Sequence, residues 1–304
     1  MSNLAQTYET LRSSQKFQKR FGVVVRLIVA LFLIFFAVFP VLWIISASFD
    51  TSQSLATQTL IPLRAGFDNY KALFGLDPNY KFGNIVYQKW VFNSVKVSTI
   101  TTILSLGITT LAAYAFSRMR FKGRVTMLKG LLLIQVFPNL LALVAIYVLV
   151  FQFGEIIPAI GLNTHAGLIL VYLGGSMGIN IWLMKGYLDT VPRDIDESGM
   201  VDGATHFQIF SQLILPLLRP ILIVIGILSF IGTYGDFVLA RILLNDVNKY
   251  TLMVGLQIFT AGQFDQKWGV FAAGALIGAL PIMIIYLALQ DYIVGGLTTG
   301  AVKG

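Results

Sequence analysis

Apolar residues are gathered into six long blocks, at about 22–48, 91–116, 125–151, 164–188, 219–241 and 268–293. Each is long enough to cross a hydrocarbon layer of about 30 Å as a helix rising about 1.5 Å per residue. The pattern predicts an all-α membrane protein with six transmembrane helices. An even number of crossings puts both termini on one side. The first block exceeds the apolar region of a cleavable signal and has no convincing small-x-small site after it, so it reads as an anchor. The expected division is a tail 1–20, a first helix and long polar loop 21–90, a five-helix core 91–293 carrying a loop 189–219, and a tail 294–304.

Polar positions inside these blocks are costly and need a reason. In the second, Ser94, Ser98, Thr101, Ser105 and Thr109 recur at steps of three and four and share one helix face. That face either packs against neighbouring helices or lines a wet path. The third block carries Gln135, Pro138 and Asn139 near mid-depth. A proline there frees a carbonyl that protein or water must satisfy, as in a kink or a cavity wall. Gly174-Gly175 and Asn180 pose the same question in the fourth. Asp236, near the outer end of the fifth, is either a hydrated interfacial carboxylate or part of an outer gate. Gly274, Gly278 and Pro281 predict close packing and a kink in the sixth.

Composition agrees with this reading. Of 304 residues 56% are hydrophobic and 12% charged, against roughly 25% charged in soluble domains. The net charge of +8 does not form a basic stripe with interleaved aromatics, so nucleic acid is not an expected partner. It reports orientation instead. Arg12, Lys16, Lys19, Arg20 and Arg26 precede or enter the first block, and Arg118, Arg120, Lys122, Arg124 and Lys129 follow the second without an acid. Residues 152–163 hold no Lys or Arg. The tails, the loop after the second block and 189–219 are therefore expected in the cytoplasm, and 49–90, 152–163 and 242–267 outside. The last of these has an apolar stripe of its own, too patterned for a tether.

Resident chemistry is sparse. There is no cysteine, hence no thiolate site or disulfide. No G-x-x-x-x-G-K-[ST], H-E-x-x-H or G-x-S-x-G pattern occurs, and the two histidines, His165 and His206, lie far apart. No metal or cofactor bound by this chain is expected, and the chain does not read as an enzyme. The acids Asp194, Asp196, Glu197 and Asp202 read as charges on a solvated docking element.

The segment Pro192–Pro220 is longer than a turn needs. Asp194 is expected to cap a short helix to about Val201, Asp202-Gly203 to break it, and Asp202 to cap a second helix from Ala204. Phe207, Phe210 and Ile214 follow at helical spacing, and Leu215-Pro216 ends the helix. Exposed aromatics here need a partner, either a protein groove or the membrane surface.

The run Glu197-Ser198-Gly199-Met200-Val201-Asp202-Gly203, nine further residues, then Leu213-Ile214-Leu215-Pro216 resembles the EAA loop of ABC importer permeases. Ser198 and Gly199 replace its two alanines, and Leu213 its later isoleucine. AYAFSRMRF (113–121), LIQVFPN (133–139), GLNTHAG (161–167), DGAT (202–205), DVNKYTL (246–252) and GLTTGAVKG (296–304) are similar to the smaller membrane subunits of maltose/maltodextrin importers. The resemblance implies a type I ABC importer permease fold in a bacterial cell membrane. It also implies a sister permease, a dimer of ATPase subunits that bind ATP and Mg, and an extracytoplasmic sugar-binding protein as partners. Glu197, Asp202, Gly203, Ala204, Phe207, Leu215 and Pro216 would couple to the ATPase. Thr298, Thr299, Gly300 and Lys303 would reach its dimer interface, and Asn245, Tyr250 and Gln263 belong to the loop that would meet the binding protein. Gln135, Asn139, Asn180 and Asp236 are candidate pathway residues. The alternatives are a permease for another sugar or polyol, or a stand-alone secondary transporter. The latter would favour ionisable groups at span centres and inverted repeats, and neither is visible.

Overall fold

The computed structural model describes residues 2–52, 59–76, 86–137, 139–262 and 266–298, with the side chains of 2–20, 139–140 and 293–298 set aside. The described residues are helical apart from turns and a single bridge, Asp50 to Ala65. In chain order the helices are α1 (Ser2–Phe49), α2 (Asp68–Leu73), α3 (Tyr87–Arg118), α4 (Arg124–Val136), α5 (Asn139–Ile156), α6 (His165–Leu188), α7 (Asp194–Val201) and α8 (His206–Gln208). A π-helical stretch Ile209–Ile214 leads into α9 (Leu215–Leu217), followed by α10 (Arg219–Tyr234), α11 (Val238–Leu243), α12 (Leu252–Gln257), α13 (Trp268–Gly278) and α14 (Leu280–Thr298). Helix continues through residues 2–20 and 294–298, where the two tails are expected.

Four spans are single helices by length and hydropathy: Phe21–Phe49, Tyr87–Arg118, His165–Leu188 and Trp268–Tyr292. Two further helix pairs are apolar and long enough to cross if each is taken as one bent span; the kink expected in the third block falls in the first of them, and the second bend is unexpected. α4 and α5 meet at 108°. Phe137, just before Pro138, is extended (φ −68°, ψ 128°), because the proline ring disfavours helical geometry in the preceding residue. The segment His206–Leu217 meets Arg219–Tyr234 at 75°, with Pro220 in the first turn of α10.

α3 and α6 form the central pair, with α10 across them. Apolar cores lie at both ends. One joins Tyr87, Trp90, Leu168 and Tyr172 to α10–α13, and the other joins Ala113, Tyr114, Met184 and Leu188 to the 209–225 segment. Between them is a polar node, where Asn180 Nδ2 donates to Ser229 Oγ at 3.2 Å and Ser105 Oγ at 3.4 Å. The hydroxyl face of α3 is thus a packing face: Ser94, Ser98, Thr101, Ser105 and Thr109 are all buried. Small side chains allow close approach; Ser94 and Ser105 find hydrogen-bond partners, whereas the hydroxyls of Ser98, Thr101 and Thr109 are buried without one among the described residues. By contrast, α1 buries nothing between Phe21 and Ile45.

Candidate functional site

The loop between α6 and α10 is a helical hairpin. α7 begins at Asp194, so Asp194 is its first residue and Arg193 takes the cap position. At its other end Asp202 is the C-cap, and Gly203 adopts φ +79°. Gly203 N–H donates to the Met200 carbonyl at 3.0 Å and Ala204 N–H to the Gly199 carbonyl at 2.9 Å. These two bonds around a left-handed glycine are a Schellman closure. They also correct the expected role of Asp202. The second helix is capped by Thr205 instead, whose hydroxyl accepts from Gln208 N–H while Gln208 Oε1 accepts from Thr205 N–H. That reciprocal box satisfies two donors that Asp202 cannot reach.

Phe207 and Phe210 do not share a face. Phe207 is 73% exposed, whereas Phe210 is buried against the Tyr114 ring at 5.1 Å. The π-helical turns shift the register after Gln208. They lie just before Pro216, whose ring would crowd the carbonyl four residues back in a regular α-helix. Pro216 therefore does not end the helix, and the chain bends after α9 instead. Phe207, Met200 and Val201 are exposed near the turn, and Glu197 is also exposed. Leu215 packs on the inner core. Gly199 meets this second segment closely; a Cβ there would lie 3.0 Å from Ile209 and Leu213 side-chain carbons.

What holds the hairpin in place is the end of α3. Arg118 Nε lies 3.0 Å from Asp196 Oδ2, and both side chains are under a tenth exposed. The pair is a Coulombic contact, since neither Asp196 oxygen is met by an aligned hydrogen bond. Arg118 Nη2 also donates to the Val191 carbonyl at 2.8 Å, and Arg193 Nη2 to the Ser117 carbonyl at 3.2 Å. Ser117 Oγ donates to Asp189 at 2.6 Å, and Lys185 pairs with the same carboxylate. Burial opposes ionisation of Asp189, but the hydrogen bonds from Lys185 and Ser117 and the nearby Arg118 charge hold its pKa below the ordinary value. Asp196 is thus a buried anchor and not one of a set of solvated charges. Its partner is remote in sequence, and nothing in the run Asp194, Asp196, Glu197 singles it out.

The candidate pathway residues separate. Gln135 Nε2 donates to the Gly175 carbonyl at 3.0 Å, tying α4 to α6. Asn180 lies in the buried node described above. The side chain of Asn139 lies outside the described residues. Asp236 borders a cavity of about 870 Å³ between α4, α5, α6 and α11, whose walls include Phe137, Leu143, Val150, Gly174 and Gly175. Its carboxylate accepts from the Tyr172 hydroxyl at 2.8 Å and from Ala240 N–H at 3.1 Å.

The outer segment 244–259 is folded into the body. Trp90 Nε1 donates to the Val247 carbonyl at 2.7 Å, Asn93 Nδ2 to the Asn248 and Tyr250 carbonyls at 2.9 and 3.0 Å, and Leu252 N–H to Ser94 Oγ at 2.7 Å. Asn163 Oδ1 accepts from the Asn245 and Asp246 N–H groups at 3.1 and 3.0 Å, so GLNTHAG and DVNKYTL form one unit. Tyr250 is buried and Asn245 exposed. Gln263, Thr299, Gly300 and Lys303 lie outside the described residues, as does the side chain of Thr298.

Comparison with known proteins places this architecture. Residues 105–298 match the family described as binding-protein-dependent transport system inner membrane component. A Vibrio vulnificus (strain YJ016) protein named maltose/maltodextrin transport system permease protein MalG is 45% identical over 272 residues, 88% of this chain and 91% of that one. The protein of the same name from Escherichia coli K12 is 44% identical over 281 residues, 90% and 94% of the two chains. Among solved structures, a chain of a bacterial ABC transporter that imports the acidic polysaccharide alginate superposes with a TM-score of 0.74 at 20% identity, over 90% of this chain and 96% of that one. A chain of the methionine ABC transporter MetNI gives 0.52 at 15% identity, over 69% and 95%. The solved structures share the fold, and the family match runs from the second half of α3 through α14, hairpin included. This chain therefore belongs to the binding-protein-dependent transport system inner membrane components, the permeases of ABC importers.

Proposed function

We propose that this chain is the smaller transmembrane subunit of a maltose/maltodextrin importer, forming half of the translocation pathway. The observation that carries this reading is identity of 44–45% across 88–90% of the chain to permeases named for that transport. Its partners are a sister permease, a dimer of ATP-binding cassette ATPases and an extracytoplasmic sugar-binding protein, with α1 and the outer helix faces in contact with lipid or the sister subunit. ATP and Mg²⁺ are held and hydrolysed on the ATPase, and this chain performs no chemistry. The positive loops at 118–129 and the α7–α8 hairpin face the cytoplasm.

Phe207, Val201 and Met200, beside Gly203 and Ala204, offer a compact apolar tip with Glu197 and Asp202 close by. A rigid tip in a socket transmits rigid-body motion, so ATPase closure and sugar delivery bias one inward/outward equilibrium. The anchor Arg118–Asp196 hands that motion to α3, and the bend after α9 hands it to α10. The residues that follow α14, including Thr299, Gly300 and Lys303, reach the ATPase interface, and the segment containing Asn245, Tyr250 and Gln263 meets the binding protein.

The test is reconstitution of this chain with its sister permease and ATPase, asking which sugar-loaded binding protein accelerates ATP hydrolysis. Maltodextrin-loaded protein is expected to do so. Stimulation only by another sugar's binding protein would overturn the substrate and leave the permease role intact.

A further inference from the structure

We propose that the cleft between the α3–α4 turn and the start of α7 binds the phosphate of an anionic phospholipid headgroup. The cleft has a volume of about 490 Å³ and is walled by Arg120, Arg124 and Arg193, together with Phe121, Val125 and Thr126, with no acidic residue in its own lining; Asp196 and Glu197 wall the neighbouring cleft that Arg120 and Arg193 also border. Two of its arginines come from one turn and the third from a loop about seventy residues later, so the fold gathers the charge. Arg124 Nη1 donates to the Met119 carbonyl at 3.2 Å and Arg193 Nη2 to the Ser117 carbonyl at 3.2 Å. Each such bond uses one of five guanidinium donors and leaves a fork for phosphate oxygens. Arg120 makes no hydrogen bond to protein among the described residues, and the ion pairs found there use Lys71, Arg118 and Lys185 instead.

The position of the cleft selects a lipid among phosphate bearers. α3 ends at Arg118 and the apolar run of α4 starts at Val125, so the cleft lies where two membrane helices leave the hydrocarbon. Val125 in its lining and Met127 next to it are exposed, and α4, which packs on α6 along one side, is nowhere fully buried. Cationic forks above the exposed apolar side chains of Val125 and Met127 match a headgroup above its acyl chains, and basic pockets between membrane helices bind such headgroups. A soluble anion would gain the charge alone. Because Arg193 immediately precedes α7, an occupied cleft also steadies the hairpin; that consequence rests on the coupling role proposed above, whereas the binding does not.

The test uses the full chain co-purified with its partner subunits in a neutral detergent. Phosphatidylglycerol, phosphatidylcholine and inorganic phosphate are titrated separately, with retained lipid read by native mass spectrometry and stability by thermal shift. Phosphatidylglycerol alone is expected to be retained and to raise the transition temperature. The R120Q/R124Q/R193Q variant is expected to bind it about tenfold more weakly, while R219Q, on another turn, behaves as the parent. Should the triple variant fail to assemble, R120Q serves, since Arg120 makes no hydrogen bond or ion pair among the described residues. Equal retention by parent and variant, or full reproduction of the shift by inorganic phosphate, would overturn the proposal.

Discussion

Removing one partner of the Arg118–Asp196 pair should free the hairpin from α3 without disturbing insertion. The contact is 3.0 Å long, and both side chains are under a tenth exposed. Breaking a buried pair on one side costs about 3–5 kcal/mol, because the surviving charge stays desolvated and unpaired. The lower end applies here. No aligned hydrogen bond joins the two groups, and Arg118 keeps the Val191 carbonyl whatever happens to Asp196. A loss of about 3 kcal/mol is on the order of a hundredfold in the equilibrium between an anchored and a released hairpin. Asp196→Asn should therefore raise the rate of proteolytic cleavage within 194–217 and weaken ATPase association. Arg118→Met with Asp196→Leu should recover most of the loss, since an apolar pair leaves no charge behind. The measurement is a double-mutant cycle on cleavage rate and on the apparent Kd for the ATPase. Strictly additive single effects, or an Asp196→Asn protein as resistant as the parent, would refute the anchor.

Other consequences follow from the same geometry. Gly203 sits at φ +79° with open space around it, so Gly203→Val suffers backbone strain alone, about 1–3 kcal/mol. ATPase co-purification should fall in the order Gly, Asn, Ala, Val, because Asn tolerates the left-handed region better than Ala; an unchanged yield with Val would count against the turn. At Gly255 a Cβ would come within 2.2 Å of the Trp90 ring. Gly255→Ala should overpack the outer core by about 1–3 kcal/mol, and reduce stimulation by the binding protein more than basal ATP hydrolysis. Asp189, with its pKa held below the ordinary value of 3.8, contributes stability that is complete above that value and lost only as pH falls through its lower folded value. The α3–α6 clasp should be indifferent to pH between 8 and 5 by proteolysis, and Asp189→Asn should abolish its acid transition.

Much of this protein is written along the chain. The membrane-length helices follow from block length, since a bilayer rewards about twenty apolar residues whatever their neighbours are; four appear as single helices, and six if each bent pair is one crossing. The α7 boundaries and the Gly203 turn are legible too, because a left-handed C-cap is a local property of glycine. Three-dimensional packing decided the remainder. Asp196 reads as one acid among four until α3 brings Arg118 beside it. Asn180 reads as a cavity residue until Ser105 and Ser229 take its amide. Phe207 and Phe210 look equivalent by spacing, but a π-helical stretch ahead of Pro216 turns one outward and the other into the core. The outer segment 244–259 became part of the body because Trp90, Asn93 and Ser94 offer it hydrogen bonds from α3. Local preference depends on the nearest few residues and can be read from them; whether a polar side chain is buried, paired or free depends on which distant helix arrives against it, and the chain in order carries no mark of that meeting.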